Sequence, residues 1–131
     1  MNARQKRVQS LIDSYNENFN KYLHSIANTL TALKEGKPTA SWLKRTKEKY
    51  QKVLTFYDLL LERGKNTKLE ILRKKLPAEF AVEQLMMEEG DFKRIEQEAD
   101  AIAFMLADSL NEWKNIFGLE PSKETTYLRT R

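Results

Sequence analysis

The chain has 131 residues, a net charge of +4, no cysteine, and 32% charged residues beside only four glycines and three prolines. This size fits one domain, and the many charges and few helix breakers favour long amphipathic helices. The absence of cysteine excludes disulfides, zinc–thiolate sites and thiol catalysis. No apolar run reaches the ~18 residues of a membrane span, and no apolar core follows the basic start. We therefore expect a cytoplasmic protein that does not enter a membrane.

A first helix is predicted over residues 3–35. Its apolar residues recur at steps of three and four from Val8 to Leu33, the periodicity of a helix packed along its length. Gly36 and Pro38 then give a strong stop signal. At 1.5 Å per residue this helix is about 50 Å long, longer than those that follow. We therefore expect part of its apolar face to stay uncovered and to indicate a partner chain.

The second and third helices are predicted over residues 41–63 and 67–89. Ser41 is the expected N-cap of the second helix. The segment Thr67-Lys-Leu-Glu matches a capping box and predicts Thr67 as the N-cap of the third. Pro77 breaks the third helix because proline lacks an amide hydrogen and clashes with the preceding turn.

The fourth helix is predicted over residues 91–117, where apolar residues again recur at steps of three and four. No strand pattern appears anywhere in the sequence. Four helices joined by short loops predict an all-α antiparallel bundle that forms a single domain over residues 1–118. Residues 119–131 form a polar tail that we expect to be flexible.

The charges are unevenly distributed along the chain. Residues 1–75 carry 17 Lys/Arg and 7 Asp/Glu, a net +10, whereas residues 76–120 carry 3 and 11, a net −8. Such asymmetry suggests binding to nucleic acid or to another acidic partner. The alternative is that the two parts fold against each other and neutralise their charges.

Catalytic groups are scarce, so we expect no enzymatic activity, no cofactor and no metal site. His24 is the single histidine, and the Glu-x-x-His pairs that hold metals in helical bundles are missing. The glycines are scattered singly, so no phosphate-binding loop is formed. Glu96 and Asp100 share a helix face opposite the apolar seam, where we expect them to be solvated and unsuited to acid–base catalysis.

Basic residues form two candidate phosphate-binding groups. The first, in the second helix and the loop before it, comprises Lys34, Lys37, Lys44, Arg45, Lys47, Lys49 and Lys52. Cations at a helix start oppose the helix dipole but flank a natural anion site. The second group begins with Arg63, Lys65 and Lys68 and continues with Arg73, Lys74 and Lys75, the three that we expect to contact phosphate. The alternative for both is an ordinary solvated face, and Glu88, Glu89 and Asp91 are placed to neutralise the first.

Several large apolar residues lie off the seams. Phe56 and Leu59 are predicted to face away from the core of the second helix, and Phe104 away from that of the fourth. Because a small bundle has little interior left for them, we expect a subunit interface. Trp42 is expected at the edge of the core, with a stacking platform for a nucleic-acid base as the alternative.

These features predict a non-catalytic small subunit or accessory protein of a nucleoprotein assembly, which contacts the phosphate backbone of DNA or RNA without sequence specificity. Its architecture and charge are analogous to those of the helical small subunits of CRISPR effector complexes and of some phage and plasmid accessory proteins. The alternative is a helical protein–protein adaptor that self-associates and binds no nucleic acid. Peripheral membrane binding ranks last because the apolar faces have the pattern of core seams.

Overall fold

The computed structural model describes residues 2–77 and 92–118 of the chain. Four helices lie in these two ranges: α1 (Ala3–Lys34), α2 (Ala40–Arg63), α3 (Thr67–Lys75) and α4 (Phe92–Ile116). The described residues contain no strand. The predicted all-α helical bundle is confirmed, with helix boundaries within one or two residues of those predicted wherever the structure describes them. The helix predicted beyond Pro77, the acidic residues Glu88, Glu89 and Asp91, and the tail 119–131 lie outside the described residues.

Helices α1 and α2 form an antiparallel hairpin, which is the most extensive pairing among the four described helices. Tyr15 near the start of α1 meets Tyr57 near the end of α2, with ring centroids 6.3 Å apart. Toward the opposite ends, the hydroxyls of Thr29 and Thr46 lie 3.2 Å apart in the buried interface. The two contacts pair low residue numbers on α1 with high ones on α2 and the reverse, as an antiparallel pair requires.

Helix α4 also runs antiparallel to α1. The Tyr15 hydroxyl donates a hydrogen bond to the Leu106 carbonyl at 2.8 Å, whereas Lys34, at the other end of α1, lies 6.0 Å from the ring centroid of Phe92. Residue numbers along α1 therefore rise in the direction in which those along α4 fall. Since α2 is also antiparallel to α1, α2 and α4 run in the same direction, and they meet where the ring of Tyr57 contacts that of Trp113.

The apolar seam of α1 is covered, in contrast to the prediction that its length would leave part of it free. Its seam residues are buried from Val8 to Leu30, and Leu33 packs against the core as a partly buried residue. The cover is sufficient because α2 and α4, with 24 and 25 residues, lie along most of its length. The length of α1 therefore gives no evidence of a partner chain.

Two predicted N-caps are wrong. Helix α2 begins at Ala40 with Thr39 at the N-cap position, so Ser41 lies inside the first turn. Helix α3 is capped by Asn66, whose side chain accepts hydrogen bonds from the amides of residues 68 and 69. Thr67 is therefore the first helical residue. Asparagine is as good an N-cap as threonine, which explains the shift of one residue.

Helix α3 ends where the proline requires it to end. Its last helical residue is Lys75, and Leu76 is extended with ψ 128°. The ring of Pro77 disfavours the helical conformation for the residue before it, which explains the extended Leu76. The Tyr50 hydroxyl donates to the Pro77 carbonyl at 2.6 Å and so fixes this end of α3 to α2.

The α1–α2 connection depends on the conformation of Gly36. Its φ is +70°, and the amides of Gly36 and Lys37 donate to the carbonyls of Leu33 and Ala32 at 3.2 and 2.8 Å. This pair of bonds is a Schellman motif, which satisfies carbonyls at the helix end and favours glycine at the left-handed position.

Substitution of Gly36 is expected to lower stability through the backbone alone. A Cβ at this position would meet no atom within 4 Å, so only the left-handed conformation matters. We expect Gly36→Ala to reduce the free energy of unfolding by about 1 kcal/mol, and Gly36→Asn by less, because asparagine tolerates this conformation. Urea denaturation of the three proteins measures both differences. An alanine variant as stable as the parent would contradict the argument.

Candidate nucleic-acid interface

An open groove runs between α1 and α2 on the surface of the hairpin. It has a volume of about 560 Å³ and is lined by Asn20, Lys21, His24, Ser25, Trp42, Arg45, Glu48 and Lys49. Ser25 lines this groove as a buried residue, whereas most of the other lining residues are exposed polar side chains of α1 and α2. We refer to this feature as the hairpin groove.

The hairpin groove concentrates positive charge from both helices. Lys21 comes from α1, whereas Arg45 and Lys49 come from α2, and Glu48 is the one acid among the eight lining residues. Burial and the positive charges of Lys52 and Lys21 lower the pKa of the Lys49 ammonium below its usual value. Crowded ammonium groups of this kind are stabilised by an anion bound between them.

One carboxylate outside the lining offsets part of this charge. Lys21 forms an exposed ion pair with Glu17 at 2.9 Å, and this hydrogen bond together with the charges of Lys21, Lys49 and Lys52 lowers the pKa of Glu17. Exposed i,i+4 pairs contribute only a few tenths of a kcal/mol. A phosphate can therefore replace Glu17 as the partner of Lys21 at small cost.

Trp42 forms one wall of the hairpin groove. It is half-buried, as expected for the edge of the core, but it also lines the groove. The Arg45 guanidinium lies 5.2 Å from its ring centroid, and the ring of His24 meets it edge-on at 6.2 Å. The groove therefore combines cations with an aromatic surface, which are the two components of many single-strand binding sites.

His24 is an exposed residue of the groove rim. Its Nε2 lies 3.2 Å from Asn28 Nδ2 on the next turn of α1. No group of three or more His, Asp or Glu residues within 2–77 and 92–118 is placed to hold a metal ion. Glu96 and Asp100 are partly buried and are therefore less solvated than the apolar seam of α4 predicts.

The predicted basic group of α2 is divided by the structure. Arg45 and Lys49 line the hairpin groove and Lys52 lies near them, whereas Lys44 and Lys47 are not among the lining residues. The reason is angular: at 100° per residue, Lys47 lies about 200° around the helix from Lys49. The group is therefore not one continuous patch.

Lys34 and Lys37 do not extend the groove. Lys34 lies beside Phe92 of α4, and Lys37 pairs with Glu35 at 2.9 Å, which raises the pKa of its ammonium. Neither residue lines the groove. The end of α1 and the loop after it therefore add no cation to the lining that Arg45 and Lys49 share with Lys21.

The second basic group is partly neutralised. Arg73 forms a two-point ion pair with Asp58, with nitrogen–oxygen distances of 2.8 and 3.3 Å, and this pairing raises the pKa of its guanidinium. Lys74 and Lys75 are exposed. All three residues occupy the last turn of α3, where cations are favourable to the helix dipole. Their position is explained by helix stability without a phosphate ligand.

The apolar residues off the seams differ in exposure. Phe56 is partly buried and packs against the core, so the prediction that it faces away is wrong. Phe56 lies seven residues, or about two helical turns, after Lys49, and therefore on the same side of α2 as this groove residue. Leu59 and Phe104 are exposed by 37% and 56%, and so are two large apolar residues that the sequence pattern did not single out, Ile71 and Ile116, by 48% and 39%.

The α1 side of the groove is missing from the predicted site. Asn20, Lys21 and His24 lie at steps of one and three on the polar face of α1. This spacing is the sequence feature from which the α1 side of the groove could have been predicted. A polar face is the ordinary solvated side of an amphipathic helix, so this signal becomes specific only when the facing residues of α2 are known.

None of the helices within the described ranges is long and apolar enough to cross a bilayer. Comparison of the chain with protein-family models, with curated proteins and with solved structures gives no match.

Proposed function

We propose that this chain is a non-catalytic nucleic-acid-binding subunit or accessory protein, which holds the phosphate backbone in the hairpin groove. The observation that carries the proposal is the convergence of Lys21, Arg45 and Lys49 from two helices on one open groove. Lysine and arginine side chains neutralise phosphates and release the counterions condensed around nucleic acid, which favours binding at low salt.

Binding of this kind is expected to be independent of base sequence. Contacts to phosphate position a protein on nucleic acid, but base edges must be read by side chains that enter a groove of the duplex. The hairpin groove is concave and offers its cations at its own walls, so it suits a strand that lies in it. The cytoplasm, where both DNA and RNA are encountered in bacterial cells and RNA in others, is the proposed compartment.

Removal of two groove cations is expected to weaken binding to DNA or RNA by roughly 30-fold at low salt, or about 1 kcal/mol for each lost phosphate contact. The variant is Lys21→Gln with Lys49→Gln. The slope of log affinity against log salt should also fall by about one for each contact. Gel shifts or fluorescence anisotropy at several salt concentrations measure both quantities.

A matched control is Lys44→Gln with Lys75→Gln. It removes the same charge from two exposed lysines outside the groove. Equal losses in the two double variants would mean that general positive charge, not the hairpin groove, supports binding. No binding of the parent protein to single- or double-stranded DNA or RNA would reject the proposed function.

A protein–protein adaptor is the second candidate function. It is favoured by the exposure of Phe104, Ile71, Ile116 and Leu59, large apolar side chains carried by α2, α3 and α4. Such residues often belong to an interface when they form a continuous patch. A protein that binds none of the four nucleic acids but associates with itself in sedimentation would be assigned to this second function.

A further inference from the structure

The hairpin groove contains more than a phosphate site requires. Three cations alone would hold a backbone, yet Trp42 lines the same groove and lies in direct contact with two of its polar residues. Trp42, Arg45 and Lys49 follow one another at steps of three and four along α2, so ring and cations share one face over about 10 Å.

We propose that the hairpin groove binds single-stranded nucleic acid, with a base stacked on the indole of Trp42 and the adjoining phosphates held by Arg45, Lys49 and Lys21. This inference rests on the proposed function and specifies its ligand. Bases stack on aromatic side chains in single strands irrespective of sequence, because each base has a π-face. In a duplex the base faces are covered by the neighbouring base pairs, so Trp42 would have no partner there.

Arg45 determines how the base gains access. Its guanidinium lies over the Trp42 ring in the unbound protein, and Arg45 is exposed. An exposed cation–π contact is weak, so a base can displace the guanidinium from the ring. The displaced Arg45 remains next to the groove and becomes available to the phosphate that follows the stacked base.

His24 borders the same site from α1. Its ring meets Trp42 edge-on and its Nε2 contacts Asn28. This contact holds the imidazole at the groove rim and supports the indole from the α1 side. The stacking surface is therefore supported by both helices of the hairpin and does not depend on a loop.

Tryptophan fluorescence gives a direct test, because the chain has two tryptophans and the other, Trp113, is fully buried. The probes are an oligothymidylate of about 12 nucleotides, within the usual range of single-strand sites, a duplex of the same length, and inorganic polyphosphate. We expect the single strand to quench fluorescence, and the duplex and polyphosphate to bind without comparable quenching. Trp42→Phe should abolish the quenching, since only Trp113 then remains.

Affinity provides a second readout. Trp42→Leu should weaken oligothymidylate binding about tenfold and leave polyphosphate binding unchanged, whereas Trp42→Phe should recover most of the lost affinity by restoring an aromatic face. Circular dichroism verifies that the variants fold. Binding of all three probes with no effect of Trp42→Leu would overturn this inference and leave the proposed function intact. Failure of the parent to bind any nucleic acid would overturn both.

Discussion

Trp113→Ala is expected to reduce the free energy of unfolding by about 3–5 kcal/mol, a large share of the 5–15 kcal/mol typical of a domain. Trp113 is fully buried in α4. Its ring meets that of Tyr57 edge-to-face at 4.5 Å and that of Tyr15 at 5.3 Å. Alanine would remove both contacts and leave a cavity at the point where α1, α2 and α4 meet.

Two matched variants separate the effect of burying an aromatic ring from that of the indole N–H and from that of the ring's position in the fold. Trp113→Phe keeps an aromatic ring against Tyr57 and Tyr15, and it removes an indole N–H that has no hydrogen-bond acceptor among the described residues. We expect it to cost clearly less than alanine, because a buried donor without a partner is unfavourable. Trp42→Ala, at the half-buried edge of the hairpin, should also cost less. Guanidinium denaturation measures all three, and a Trp113→Ala loss no larger than that of Trp42→Ala would contradict the assignment of Trp113 to the core.

The hydrophobic periodicity was sufficient to predict the core. The seam of α1 lies at steps of three and four from Val8 onward, and burial follows it to Leu30, because a helix that packs along its length must repeat apolar residues at that spacing. Gly36 and Pro77 likewise marked real helix ends, since each has a backbone requirement that is independent of the rest of the fold.

The candidate site could be predicted only in part. The sequence places Arg45 and Lys49 on one helix, but their neighbour Lys21 comes from α1, and the contact depends on the register in which α1 and α2 pack. That register is set by long-range contacts such as the Thr29–Thr46 pair. Local patterns carry no information about it.

The prediction that Phe56 faces away from the core is wrong because it was made from the helical angle alone. Apolar periodicity gives the direction of the core as an average over the helix, so a residue at the margin of the seam is classified by angle alone. Phe56 lies at this margin, where it is partly buried and packs against the core. Phe104, by contrast, is exposed.

Three buried tyrosines, Tyr15, Tyr50 and Tyr57, make stability sensitive to alkaline pH. Burial, followed by the nearby Tyr57 and Tyr50 hydroxyls, raises the pKa of Tyr15 well above the ordinary value of 10.0. Burial also raises the pKa of Tyr50 and Tyr57, although Ser109 and Arg73 partly offset the shift at Tyr57. All three hydroxyls donate to backbone carbonyls, a bond that requires the protonated phenol.

Stability is therefore expected to fall steeply as the pH rises above 10. Below pH 10 the tyrosines are protonated in both folded and unfolded chains, so they add no pH dependence. Above it the unfolded chain loses protons that the folded chain keeps, until the pH passes the raised pKa of the folded state. A tyrosine that stays fully protonated contributes a loss of up to about 1.4 kcal/mol per pH unit. Tyr15 should approach this slope, and Tyr50 and Tyr57 should add part of it.

Urea denaturation at about pH 9, 10 and 11 measures this slope, and tyrosinate absorbance shows whether ionisation accompanies unfolding. Tyr15→Phe is the informative variant. It should lower stability at neutral pH, because the Leu106 carbonyl loses a hydrogen bond, but its stability should decline less steeply above pH 10, since one titrating group is gone. Parallel slopes for Tyr15→Phe and the parent would show that Tyr15 ionises as readily in the folded chain as in the unfolded one. That result would contradict the burial of Tyr15 between α1 and α4.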